Sequence, residues 1–383
     1  MIHRMVLGIF FGLTAVMLVM GPLDGHPQPI FSLLVFTATV SVLSGIGLFV
    51  AILVHELGHV MAGLGGGMIF VAMLVDGFSL RRKPDGGFRF GRISRAWAGG
   101  LVMMDFPPTA EVVPTFRRFI GGGPLASIVW CAFTLFLFSQ ASVRFAGARD
   151  FFEAFPIFVA LTLFMMAATL LPGTLWTKPI RGLMPDAYLL LRLRKPGPQS
   201  DRLVSLFTLA QRIRAGERAR DWPAALIEAQ LVLQDGSAEE IQARMLAYYH
   251  YMDTGELEQA DLNVNRALAL LPSKGAESTL VGQSILYASS TRAAEKGDTN
   301  TARQYLEKIK KPFDIINGNR WRAWATLHLA EGNPAETLKA VEASRKALHR
   351  FTRLLPGDIT PDLEKLDHLE RKAKALSSDT IDQ

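Results

Sequence analysis

His55, Glu56 and His59 stand within five consecutive residues, His-Glu-Leu-Gly-His. On a helix, histidines four residues apart share one face. Both rings can then reach one zinc ion at about 2.0–2.1 Å, and the glutamate between them is placed to take a proton from an attacking water. No charge interrupts the chain from Ile30 to Val54, so the motif closes a long apolar run. Ionisable groups at such depth are expensive and are retained for function. Structural histidines, hydrogen-bonded inside a helix bundle, are the competing explanation, and they suit a lone buried histidine better than a pair flanking a glutamate. A metal held by two histidines needs a third ligand. His3 and His26 lie outside the apolar runs, so the third ligand has to be a carboxylate or Cys131, the single cysteine of the chain.

Four stretches are apolar enough to cross a membrane, roughly Met5–Leu23, Ile30–Leu64, Phe119–Gln140 and Phe151–Leu171. The first follows Arg4 but has no small-x-small cleavage site after it, which favours a retained anchor over a removed leader. The second is expected to be one long helix with His55 and His59 towards its far end. Eight lysines and arginines lie between Arg81 and Arg118, and five more between Lys178 and Lys195, whereas the opposite loops carry only Arg144 and Arg149. This asymmetry puts both termini in the cytoplasm and the histidine pair near the cytoplasmic face. The localisation expected is the inner (cell) membrane of a bacterium, in a multi-pass protein in contact with membrane lipids. The net charge of +6 follows from this topology. There is no basic stripe interleaved with stacking aromatics, so no nucleic-acid partner is expected. A single cysteine excludes an intrachain disulfide.

The segment after the second run changes character. Met68–Leu80 is rich in Val, Ile, Phe and Leu, Pro84-Asp85-Gly86-Gly87 supplies turn chemistry, and Phe88-Arg89-Phe90 begins an alternation. A β-hairpin at the membrane surface is expected there. It either covers the bundle or offers its edge to an extended substrate strand. Among the acids, Asp76 and Asp85 flank turns, Asp105 precedes Pro107-Pro108, and Asp150 and Glu153 fall on the far side of the membrane. Asp186, beside Pro185 and downstream of the Thr169-Leu-Leu-Pro172-Gly173 break, would by itself be read as a helix cap. The need for a third ligand makes it the candidate.

The combination of an intramembrane His55-Glu-Leu-Gly-His59, a Gly122-Gly-Pro124-Leu-Ala element in the next span, and a Leu-Leu-Pro break followed by Pro185-Asp186 resembles the site-2 protease family of intramembrane zinc metalloproteases. The resemblance covers about residues 30–195. It implies zinc held by His55, His59 and Asp186, Glu56 as the catalytic acid/base, and hydrolysis of peptide bonds in transmembrane protein substrates near the cytoplasmic face. The chain departs from the family at three places: Thr169-Leu-Leu-Pro172 stands for Asn-x-x-Pro, Asp186-Ala187 for Asp-Gly, and Ser127 where an asparagine is common.

The second half is charged and helical in pattern. Tyr251-x3-Gly255-x4-Ala260-x3-Val264-x2-Ala267-x4-Pro272 resembles a tetratricopeptide repeat, with weaker copies at Gly297-x4-Ala302-x3-Leu306 and from Trp321 through Gly332 to Val341. Asp221-Trp-Pro-Ala-Ala starts an earlier one. Stacked helix pairs of this kind share one core and offer a surface to a protein or peptide partner. The fold expected is therefore mainly α. A polytopic transmembrane helix bundle of about four spans, with a small membrane-associated β-hairpin region, occupies 1–196, and a cytoplasmic helical repeat domain occupies 197–383. Two functions compete, an intramembrane metalloprotease with a regulatory array and a non-catalytic zinc-containing scaffold that presents the repeats. Glu56 favours the first, since a scaffold has no use for a general base. A reporter active only in the cytoplasm, fused at Gln383, should give signal, and a reporter active only outside should be silent. The opposite pattern would invert the topology.

Overall fold

A backbone in hydrocarbon has to satisfy its hydrogen bonds internally, and the apolar runs fold accordingly as long helices. The computed structural model describes residues 30–83, 85–92, 99–106, 112–147, 151–178, 184–272, 275–313, 316–354 and 359–381. The expected first span, Met5–Leu23, lies outside them. The apolar helices are α1 (Ile30–Gly65), α2 (Val112–Arg144) and α3 (Phe151–Thr174). Three stretches in them, Ala38–Gly65, Val112–Arg144 and Phe155–Thr174, are long and apolar enough to cross a membrane. Val42, Ile46, Val129 and Phe136 are exposed on their outer faces, a surface suited to lipid. α1 ends in a Schellman turn: Gly67 is left-handed with φ 81°, and the amides of Met68 and Gly67 donate to the Gly63 and Leu64 carbonyls. α3 continues through Pro172 and ends at Thr174, beyond the expected break. There the Thr174 hydroxyl donates to the Leu171 carbonyl at 3.1 Å.

Between α1 and α2 the chain forms four antiparallel strands, more than the hairpin expected. They are β1 (Ile69–Val75), β2 (Phe78–Arg82), β3 (Phe88–Arg92) and β4 (Gly100–Asp105), in the order β3-β2-β1-β4. The apolar stretch from Met68 to Leu80 folds back on itself at Asp76-Gly77, whose φ values of 39° and 89° make a two-residue type I′ turn. Val75 then faces Phe78 across one ladder and Gly100 across the other. The turn expected at Asp85–Gly87 does form, with the Lys83 amide donating to the Gly87 carbonyl at 2.7 Å. Phe70, Met73, Val102 and Met104 bury the inner face of the sheet against Ile52 of α1.

The chain divides into two compact units, the first built mainly from segments up to Leu191 and the second from Arg192–Gln383. The first includes α4 (Asp186–Arg192). The second holds α5 (Pro198–Arg214), α6 (Ala224–Leu231), α7 (Ala238–Thr254), α8 (Leu257–Ala269), α9 (Leu280–Glu295), α10 (Thr299–Glu307), α11 (Asn317–Ala330), α12 (Pro334–Leu354) and α13 (Thr360–Ile381). Gly255, Gly297 and Gly332 are left-handed and join α7 to α8, α9 to α10, and α11 to α12. Just beyond these turns Ala260, Ala302 and Thr337 have no exposed surface, so each helix pair meets through small side chains.

Arg202 of α5 ties the start of this unit together. Buried, it donates Nε to the Gln230 carbonyl at 3.0 Å, Nη1 to Asp235 at 2.9 Å and to Ser237 at 3.1 Å, and Nη2 to the Leu233 carbonyl. One guanidinium thus joins four residues from Gln230 to Ser237, and Ser237 caps α7 by accepting from the Glu240 amide. Burial opposes the charge of Asp235, but hydrogen bonds from Ser237 and Arg202 outweigh it and hold the carboxyl at about 2. The folded value lies below the ordinary 3.8. The stabilisation is therefore complete above pH about 4 and disappears as pH falls toward 2. Asp235→Asn should cost about 1–2 kcal/mol at neutral pH and progressively less below pH 4. Hydrogen exchange at the first amides of α7 should show the loss, and a pH-independent effect would count against this origin.

Candidate metal centre

The motif lies on the last turns of α1, where the backbones of α1 and α2 come into contact. A Cβ on Gly58 would stand 2.4 Å from the Gly122 carbonyl oxygen, and one on Gly122 would stand 2.3 Å from that of Gly58. Backbone therefore touches backbone between the two histidines, the small-residue contact that packs helices in a membrane. This contact brings two acceptors of α2 to the rings. Ser127 Oγ is 2.8 Å from His55 Nδ1, and the Phe119 carbonyl oxygen is 2.8 Å from His59 Nδ1. A carbonyl only accepts, so His59 carries its proton on Nδ1 and presents a lone pair on Nε2.

The two Nε2 atoms converge at 3.2 Å. Asp186, the first residue of α4, completes the triangle. Its Oδ2 is 3.2 Å from His55 Nε2 and its Oδ1 is 3.6 Å from His59 Nε2. α4 reaches this place by packing Leu190 over Gly121 of α2 and burying Tyr188 and Leu189. His55, His59 and Asp186 form the one group of three or more His, Cys, Asp or Glu among the described residues whose ligand atoms could share an ion. Metal–ligand bonds of about 2.0–2.1 Å in a tetrahedron give edges of about 3.3 Å. The observed edges of 3.2, 3.2 and 3.6 Å fit such an ion with its fourth position open. Two neutral nitrogens and one carboxylate leave room for a small divalent cation.

Glu56, 5% exposed, is not in the triangle. Its carboxylate lies against the start of β4, where a Cβ on Gly100 would fall 1.9 Å from Oε1. A Cβ on Gly123 would likewise fall 2.2 Å from His59 Nε2. Thus β4 and α2 each offer a bare backbone to a polar side chain of the motif. The competing acids stay away: Asp76 and Asp85 serve turns, with Asp85 accepting from the Gly87 amide at 2.9 Å, and Asp105 closes β4 opposite Ile69. Cys131 is a half-buried free thiol. Gly100 and the Phe119 carbonyl escape a reading of the sequence, whereas Gly123 belongs to the Gly122-Gly-Pro124-Leu-Ala element it singled out. The Gly99-Gly100 pair ahead of Leu101-Val-Met-Met was the available signal for the first.

No protein-family model matches the chain, and neither a curated protein nor a solved structure does. The geometry itself can be tested through the hydrogen bond that His55 Nδ1 makes to Ser127. Ser127→Ala should weaken divalent-metal binding about 10–100-fold by releasing the His55 ring. Competition with a chromophoric chelator measures this, and an unchanged affinity would remove Ser127 from the centre.

Proposed function

We propose that the chain is an intramembrane zinc metalloprotease resembling the site-2 protease family, acting on peptide bonds of transmembrane protein substrates. One observation carries the reading: the buried triangle of His55, His59 and Asp186, with Glu56 beside it, on helices apolar enough to span a membrane. Bound zinc would supply Lewis acidity and bring the pKa of a water down to about 7. His55 and His59 hold their Nε2 lone pairs inward because Ser127 and the Phe119 carbonyl engage the opposite nitrogens. Glu56 takes the proton of the attacking water and returns one to the leaving amine. The reading of a non-catalytic zinc scaffold leaves this second, unligating carboxylate without a purpose.

A helical peptide bond has to be drawn out before hydrolysis. β4 is at one edge of the sheet, and its first residue abuts Glu56. A substrate strand added along β4 would be held extended by main-chain hydrogen bonds with its backbone close to the base. The C-terminal unit is read as a cytoplasmic tetratricopeptide-like array that binds a protein or peptide partner and regulates the protease. The paired helices, left-handed turn glycines and fully buried Ala260 and Ala302 support it. With both termini cytoplasmic, the centre would act near the inner face of a bacterial cell membrane.

Glu56→Gln should lower hydrolysis of a membrane substrate by about 10²–10⁴-fold or more. Zinc content and helix content should remain those of the parent, because the amide keeps the shape and loses only the basic lone pair. Parent-like cleavage by the purified Gln protein would falsify the assignment of Glu56, and with it the protease reading in this form.

A further inference from the structure

α13 does more than cap the C-terminal unit. Leu366 and Ala373 are fully buried, and Leu363 and Leu369 pack with Trp321 and Trp324 of α11. Its other face reaches far back along the chain. Glu364 accepts a hydrogen bond from Arg218, and Asp362 accepts one from Arg322 at 2.6 Å. Under α13, against α7, α9 and α11, lies a cavity of about 580 Å³, within the range of small-molecule sites.

The charges lining this cavity are unequally neutralised. Its acids have partners outside the cavity or in its wall: Glu295 pairs with Arg292 at 3.2 Å, Asp367 with Arg345 at 2.5 Å, and Glu364 with Arg218. Arg218 also holds Asp253. Lys365 and Arg371 make no hydrogen bond or ion pair among the described residues. With His368 they recur every three residues and so form one stripe of α13 turned to the cavity. Opposite them stand Tyr248, Tyr249 and Met252 of α7, and neither phenol hydroxyl has a hydrogen-bond partner among the described residues. Burial, then the like charge of Arg322, lowers the Lys365 ammonium below its ordinary value, against the pull of Asp362 and Asp253. A partly buried cation beside two guanidinium groups gains from a bonding partner of opposite charge. An incoming anion provides one, and the phenol rings provide a flat apolar wall with donors at its rim.

We propose that this cavity binds a small organic anion, its phosphate or carboxylate head at Lys365 and its apolar body against Tyr248, Tyr249 and Met252. The site stands independently of the protease reading. Isothermal titration of the detergent-purified full-length protein tests it with phenyl phosphate, benzoate, inorganic phosphate and benzylamine. One of the two aromatic anions should bind saturably at one site, at least about tenfold more tightly than inorganic phosphate, and benzylamine should not bind. The stronger of phenyl phosphate and benzoate identifies the head group. Lys365→Met should weaken that ligand at least about tenfold, and Tyr249→Phe should weaken it by a smaller factor. Without ligand, Lys365→Met should melt no lower than the parent, since it removes a partly buried, unpaired charge. Should Lys365→Met fail to fold, Tyr249→Phe and the charge-keeping Lys365→Arg carry the same comparison. The proposal is overturned by any of three results: no saturable binding of either aromatic anion at millimolar concentration, affinity unaffected by Lys365→Met, or benzylamine binding as tightly as the anions.

Discussion

Gly58 and Gly122 touch carbonyl to Cα across the α1–α2 interface, and that contact places both histidines of the metal centre. Between helices in a lipid-like setting there is little hydrophobic gain from association, so close packing and hydrogen bonds have to hold the pair. Ala62 and Ala126 extend the small-residue seam on either side of the glycines. The seam falls between His55 and His59 and so determines both the depth and the rotation of the motif. In this register Ser127 lies at one ring and the Phe119 carbonyl at the other. A larger side chain at either glycine would separate the helices and release both imidazoles together.

The second constraint is the burden of polar groups in an apolar place. His55, Glu56 and His59 are each buried. The triangle answers this by drawing Asp186 from a separate short helix, so that each ligand faces a group of complementary character. Glu56 remains outside it, and the backbone of β4 rather than a cationic side chain is its neighbour at Gly100. Among the described residues no cation forms an ion pair with Glu56, and a carboxylate so placed keeps its capacity to exchange a proton, which is what the proposed chemistry asks of it.

The C-terminal unit follows a different logic. Its helices meet through Ala260, Ala302, Thr337 and Ala325, and its buried arginine Arg202 is fully engaged with carbonyls and Asp235. Polar groups in such a unit are normally paired. Lys365 and the phenols facing it are left without protein partners among the described residues and line one cavity, which is why they mark a place where something else can bind.

Much of this was legible in the chain itself. Apolar length alone determined α1, α2 and α3, because hydrocarbon leaves the backbone no choice but a helix. The spacing of His55, Glu56 and His59 determined that two rings and a carboxylate would share one helical surface. Gly255 with Ala260, and Gly297 with Ala302, marked the helix pairs through the small residues that close contact demands. Other features depended on long-range contacts that carry no local signature. The Asp76-Gly77 dipeptide, which folds the first strand run in two, was a readable hairpin signal. The addition of β4 beside β1 was not, because antiparallel pairing is made with a partner distant in sequence. That pairing is what brings Gly100 to Glu56. Asp186 was chosen among several acids from the sequence by elimination, and the tertiary structure brings it to the histidine pair. Spacing along the chain states which residues can share a helix face, but only the packing of α4 over Gly121 states which carboxylate arrives opposite that face.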